Sequence, residues 1–188
     1  MLALKKKQSY KPGFLRLTCL VLAFAFTVIS CKKDRDDDDG YVMSDQEFVL
    51  NASSSNNFEV AAGLLASKKG TDPTVKEYGT HMVTDHTAAG VELKALADKR
   101  GWRISQQLSL REQRDLGILT AAGSTDFDRK FADIMVFSHQ EAVQLFEIAA
   151  SEGGLPDAEL RTWAQSKLPT LKTHLQKAIT LRGTVVAP

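Results

Sequence analysis

From Tyr41 to the C-terminal end, apolar residues recur at intervals of three or four, the period of a helix with one buried face. Ser44 followed by Glu47 has the form of a capping box, which predicts a first helix from about Asp45 to Lys69, stopped at Gly70. Asp72-Pro73 opens a second helix, with proline at the first helical position, where its missing N–H is no loss. The stripe of that helix is Val75, Tyr78, Met82, His86, Ala89, Leu93 and Leu96, and it closes near Gly101. Residues 102–123 hold a shorter apolar stretch that ends at Gly123. Ser124 to Phe127 opens a third long helix, striped by Phe131, Met135, His139, Ala142, Phe146 and Ala149 and ended by Gly153-Gly154. Pro156-Asp157 starts the last helix, which carries Leu160, Ala164, Leu168, Leu171, His174, Ala178 and Leu181. Pro169 falls inside it and cannot donate to the carbonyl four residues back, so a kink or break is expected between Gln165 and Pro169. No alternating strand pattern stands out, apart from the β-branched end at Thr184 to Val186.

The fold class that follows is all-α, with four long helices and about 20 residues between the second and third. Short links make neighbouring helices antiparallel, whereas a long link lets the chain cross the bundle. One long crossover carrying a short extra helix is the ferritin-like arrangement of a four-helix bundle. An up-down bundle with an extra helix in its loop is the alternative. The second and third long helices also match each other at an offset of 53 residues. Met82-Val83-Thr84-Asp85-His86 falls on Met135-Val136-Phe137-Ser138-His139, Tyr78 on Phe131, and Gly101 on Gly154.

The segment before this pattern is of another kind. Residues 1–16 carry Lys5, Lys6, Lys7, Lys11 and Arg16 without an acidic residue, and an apolar run follows from Leu17 to Ile29. Its length suits a secretory signal and is short for a membrane span. Val28-Ile29-Ser30-Cys31 resembles the lipobox of bacterial lipoproteins, which implies cleavage before Cys31 and membrane attachment through acyl chains on that cysteine. Each buried methylene contributes about 0.8 kcal/mol, so several chains together make a durable anchor. The expected organisation is a signal peptide over 1–30, a charged tether over 31–43, the bundle over 44–182 and a tail over 183–188. The tether begins Lys32-Lys33-Asp34-Arg35 and continues with Asp36 to Asp39, a block that physics reads as a solvated spacer. It is also similar to the lysine-then-acidic tag of surface-exported lipoproteins. The expected location is the bacterial cell envelope, as an outer-membrane lipoprotein facing the periplasm or the surface.

Charge changes the picture once this segment is set apart. All 188 residues sum to +1, but residues 31–188 hold 19 basic against 23 acidic residues, a formal charge of −4 over 158 residues. That balance argues against a nucleic-acid partner. Cys19 leaves with the signal peptide and Cys31 takes the lipid, so cysteine catalysis, disulfides and thiolate ligation are excluded from the bundle. The chain has no Gly-rich phosphate loop, no G-x-S-x-G elbow and no H-E-x-x-H pair, so no catalytic residue is assigned.

His86, His139 and His174 each lie on or beside the apolar stripe of a different helix. Glu59 of the first helix lies on a face of small residues, Ala52, Ser55, Ala62 and Ala66. A ligand cluster in a bundle core needs this kind of convergence from separate helices. A buried carboxylate wants a cation or donors, and neutral imidazoles could hold a metal ion while their second nitrogens bond outer carboxylates. Asp85, Glu92, Glu141 and Glu147 flank these helices. Glu59, His86, His139 and His174 therefore form the candidate metal set. Met82 and Met135 each precede a histidine by one turn, and thioether with imidazole would suit copper. Carboxylate with imidazole would suit another divalent transition metal, and core packing alone explains the methionines. His81, off the stripe, reads as surface. A hydrogen-bonded polar layer without metal accounts for the same residues.

Asn57-Phe58-Glu59-Val60-Ala61-Ala62-Gly63, Met82 to His86, Phe127-Asp128, Met135 to His139, and Leu168-Pro169-Thr170-Leu171-Lys172-Thr173-His174 together resemble the bacterial domain-of-unknown-function 4142 family. The resemblance covers roughly residues 44–182 and implies a ferritin-like fold and an exported or outer-membrane location. True ferritins place Glu-x-x-His on two helices. No histidine here has a glutamate three residues before it, so a ferroxidase role does not carry over. The leading expectation is an envelope protein that binds a metal or small ligand. A structural or stress-related interaction module with a metal-free core layer is the alternative, and a metal-dependent oxidoreductase comes third.

Overall fold

Polar caps set where the helices begin. Ser44 accepts a hydrogen bond from the Glu47 N–H and starts α1 (Asp45–Lys69), while Asp72 caps the Thr74 N–H and starts α2 (Pro73–Arg100), with Pro73 in the first turn. α2 ends at Gly101, whose φ of 73° is the left-handed conformation that favours glycine. Ser109 and Glu112 form a complete capping box at the start of α3 (Leu110–Ala121). α4 (Ser124–Ala150) and α5 (Ala158–Val186) complete the chain. The computed structural model describes residues 42–186, so Cys31 and the signal peptide expected from the sequence lie outside the described residues. Among those described, every regular element is helical.

The last helix departs from expectation at two points. The expected break is absent, and α5 is one continuous helix through Pro169. Gln165 and Pro169 both lie on the exposed side of the helix, so the carbonyl that loses its donor faces water rather than the core. The helix also continues to Val186, so the β-branched end is helical and the tail begins later than 183.

Apolar residues gather in two cores at opposite ends of the bundle. The first takes Phe58 and Ala62 from late α1, Val75 and Met82 from early α2, Phe127 and Phe131 from early α4, and Leu181 from late α5. The second takes Phe48 and Val49 from early α1, Leu93 and Ala97 from late α2, Phe146 from late α4, and Leu160 from early α5. Consecutive long helices α2 and α4 therefore point the same way. Residues 101–123 must carry the chain from one end of the bundle to the other, which is the one-crossover topology. α1 packs along α2, α4 along α5, and the two hairpins meet through α1 with α4 and α2 with α5.

The crossover travels over α1, and polar side chains of α1 satisfy its backbone. Gln46 exchanges hydrogen bonds with Arg103 N–H and C=O at 2.9 and 3.0 Å, Ser53 accepts from Ser105 N–H at 2.9 Å, and Asn57 donates to Ser105 O at 3.2 Å. Ser54 donates to the buried Glu112 carboxylate and accepts from Ser109 N–H, locking the start of α3. An extended segment without such partners would leave peptide groups unpaired against the bundle. Inside the first hairpin, Gly63 and Gly79 let α1 and α2 touch backbone to backbone. A Cβ on Gly63 would stand 2.6 Å from Gly79 O, and one on Gly79 would stand 2.6 Å from Ala66 Cβ.

Candidate metal centre

Between the two apolar cores lies a polar layer built from all four long helices. α2 places His86 there, α4 places His139 and Ser138, α5 places His174, and α1 places Glu59 and Asn56. His139 is wholly buried, and His86, His174 and Glu59 are nearly so. The imidazole rings pack around a common point, with centroids 5.8 Å (His86–His139), 5.4 Å (His86–His174) and 5.5 Å (His139–His174) apart.

One nitrogen of each ring is held by an oxygen outside the triangle. His139 Nδ1 lies 2.9 Å from Met135 O, His174 Nε2 2.9 Å from Asp85 Oδ2, and His86 Nδ1 3.3 Å from Asn56 Oδ1. A carbonyl or carboxylate oxygen only accepts, so the proton of each ring sits on that outer nitrogen. The opposite nitrogens, His139 Nε2, His174 Nδ1 and His86 Nε2, are buried lone pairs without a partner. The three histidines offer ligand atoms that all lie within 4.8 Å of one another. Some point then lies within about 2.8 Å of all three (4.8 Å divided by √3). Closing to the ~2.0–2.1 Å of a metal–imidazole bond needs ring shifts under about 1 Å.

Burial keeps these rings neutral. It lowers His139 to about 4, and it depresses His86 well below the ordinary value, helped by the neighbouring His139 and His174. His174 is also lowered by burial, against the opposing pull of Asp85. Neutral imidazole is the form that ligates a metal ion.

Glu59 sits beside the triangle rather than within it. Its Oε1 accepts from Ser138 and lies 3.7 Å from His139 Nδ1, the nitrogen already committed to Met135 O. Its Oε2 has no partner, and burial raises the carboxyl to about 7 against the hydrogen bond from Ser138. The structure thus brings together the three histidines of the expected set and leaves Glu59 outside their 4.8 Å group. Of the flanking carboxylates only Asp85 reaches the layer. Glu92 pairs with Lys167, Glu141 with Arg111 and Glu147 with Lys172, all at the surface. Met82 and Met135 are buried in the first apolar core, and His81 is exposed beside Glu77.

Sequence reasoning passed over Asn56 and Ser138. Asn56 stands three residues before Glu59 on α1, hence on the same helical face, and Ser138 directly precedes His139. Their spacing was visible, but their partners come from other helices.

The sequence model of the family described as Domain of unknown function (DUF4142) matches residues 32–181. The chain belongs to this family. The DUF4142 match takes in the whole histidine layer and its outer partners. No curated protein matches the sequence. A solved structure described as CopM in the Cu(II)-bound form is similar in fold. It has a TM-score of 0.64 and 15% identity, with 77% of this chain and 99% of that chain covered. At that identity the likeness is one of helical-bundle architecture. No described helix is long and apolar enough to cross a membrane.

Proposed function

We propose that this DUF4142 protein binds one transition-metal ion through His86 Nε2, His139 Nε2 and His174 Nδ1, as a binding protein of the bacterial envelope tethered through lipidated Cys31. Two observations carry the reading: each histidine has one buried ring nitrogen without a partner, and the three histidines offer ligand atoms within 4.8 Å of one another. A buried acceptor left unpaired costs about 1–3 kcal/mol. One water has two protons and cannot satisfy three acceptors, whereas one cation can. Asp85, Asn56 and the Met135 carbonyl orient the rings from outside, the usual arrangement around metal-bound histidine. Imidazole donors suit copper, zinc, iron or nickel. The fold neighbour described as Cu(II)-bound makes copper the first ion to test. Three protein ligands leave a tetrahedral ion one open position. Metal binding without turnover is the reading we favour, since no nucleophile or general base is assigned at the layer.

Metal analysis of the purified chain after loading with Cu(II), Zn(II) or Co(II) tests this. One ion per chain is expected, lost in His86→Ala, His139→Ala and His174→Ala. A chain that retains no ion under any of these loadings would leave the metal-free polar layer as the correct description. Radiolabelled fatty acid tests the tether, with label expected on the full chain and absent from Cys31→Ala.

A further inference from the structure

A cleft of about 190 Å³ opens beside the histidine layer, and His86, His174 and Asp85 belong to its wall. His139 does not line it, so the cleft meets the layer on the side of α2 and α5. The remaining wall is mostly apolar, with Leu93, Phe146, Trp163 and Leu171 beyond the histidines. Trp163 is held in place at the rim. Its Nε1 donates to Glu92 Oε2 at 2.8 Å, the Lys167 ammonium pairs with the same carboxylate, and that ammonium lies 5.7 Å from the indole centroid.

We infer that this cleft binds a small aromatic molecule carrying one oxygen or nitrogen donor atom, which completes the coordination of the ion at the histidines. The inference rests on the metal reading above. Size points to a single ring, because a cavity of about 150 Å³ lined by leucine, isoleucine and phenylalanine is enough to hold benzene. Phe146 and Trp163 offer ring faces and edges, whose quadrupoles favour an aromatic occupant over an aliphatic one. The donor atom would take the open fourth position of an ion held by three imidazoles, in place of water.

The test uses the purified chain loaded with Co(II), whose visible bands report a change of ligand. Three probes separate the requirements: phenol has ring and donor, azide has a donor without a ring, and toluene has a ring without a donor. Phenol is expected to shift the cobalt bands saturably and at least ~10-fold more tightly than azide, a difference set by burial of the ring. Toluene is expected to leave the bands unmoved and to compete with phenol. Ala89→Phe on α2 and Thr170→Phe on α5 narrow the cleft from opposite sides. Each should keep one cobalt per chain and weaken phenol about tenfold or more. Cobalt bound stoichiometrically with bands that phenol does not move would overturn the inference. So would equal affinity for phenol and azide, or unchanged phenol binding in both narrowed variants. A chain that takes up no cobalt overturns the metal reading instead, and this one falls with it.

Discussion

Each histidine of the layer has one nitrogen spoken for and one without a partner, and the outer oxygens decide which. Asp85 matters most among them, because it holds His174 in the tautomer that turns Nδ1 inward. Asp85→Ala is expected to lower metal affinity about 10–100-fold with the helix content unchanged, as measured by competition against a chromophoric chelator. In the metal-free protein, pH acts on the layer in two directions. Burial lowers His139 from 6.5 to about 4, so the unfolded chain takes up protons first and stability is lost as pH falls from 6.5 toward 4. His86 and His174 are lowered too and add to that loss. Burial raises Glu59 from 4.5 to about 7, so the folded chain holds its proton longer and stability is lost as pH rises from 4.5 through 7. The histidines outnumber the carboxylate, so metal-free stability should climb with pH below 6.5 and level off near neutrality. Glu59→Gln removes the opposing contribution and should steepen that climb. Urea midpoints across the pH series would show whether it does.

At the scale of the helix, the boundaries were legible because they depend on local chemistry. Ser44, Asp72-Pro73 and Gly101 act within a few residues of themselves, and each marks a helix end where expected. Pro169 shows why a break could not be read from local sequence alone. Its cost depends on whether the stranded carbonyl meets water or core, which its neighbours in sequence do not reveal. The serine- and asparagine-rich face of α1 is a second case. The role of Ser53, Ser54 and Asn57 could not be read locally, because their partners lie about 50 residues away in the crossover. The close contact itself falls at Gly63 and Gly79. Gly63→Ala is expected to destabilise the chain by about 1–3 kcal/mol in urea unfolding, since the added methyl meets backbone that cannot swing aside.

At the scale of the molecule, the histidines were found from sequence because each shares the stripe of its own helix. Their convergence followed from the bundle, but Glu59 shows the limit of that reasoning. The stripe puts it in the layer, while only the register between helices sends it behind His139 rather than into the triangle. The seam between the two hairpins runs through the same layer. Glu59, Asn56 and His86 come from the α1–α2 pair, and Ser138, His139 and His174 come from α4–α5.

That division has a kinetic consequence. Each hairpin is made of contacts local in the chain, whereas their docking must close the crossover loop, so the ligand triangle is completed only when the halves meet. An ion held there is bound by the native state and not by its separated parts. It should slow unfolding while leaving the refolding rate nearly unchanged, as expected for an interaction absent from the transition state. At a free ion concentration 100-fold above Kd the stabilisation is about 2.7 kcal/mol, or close to a hundredfold in the unfolding rate. Stopped-flow unfolding with and without chelator measures it. A metal effect confined to the refolding limb would mean that the triangle forms before the hairpins dock.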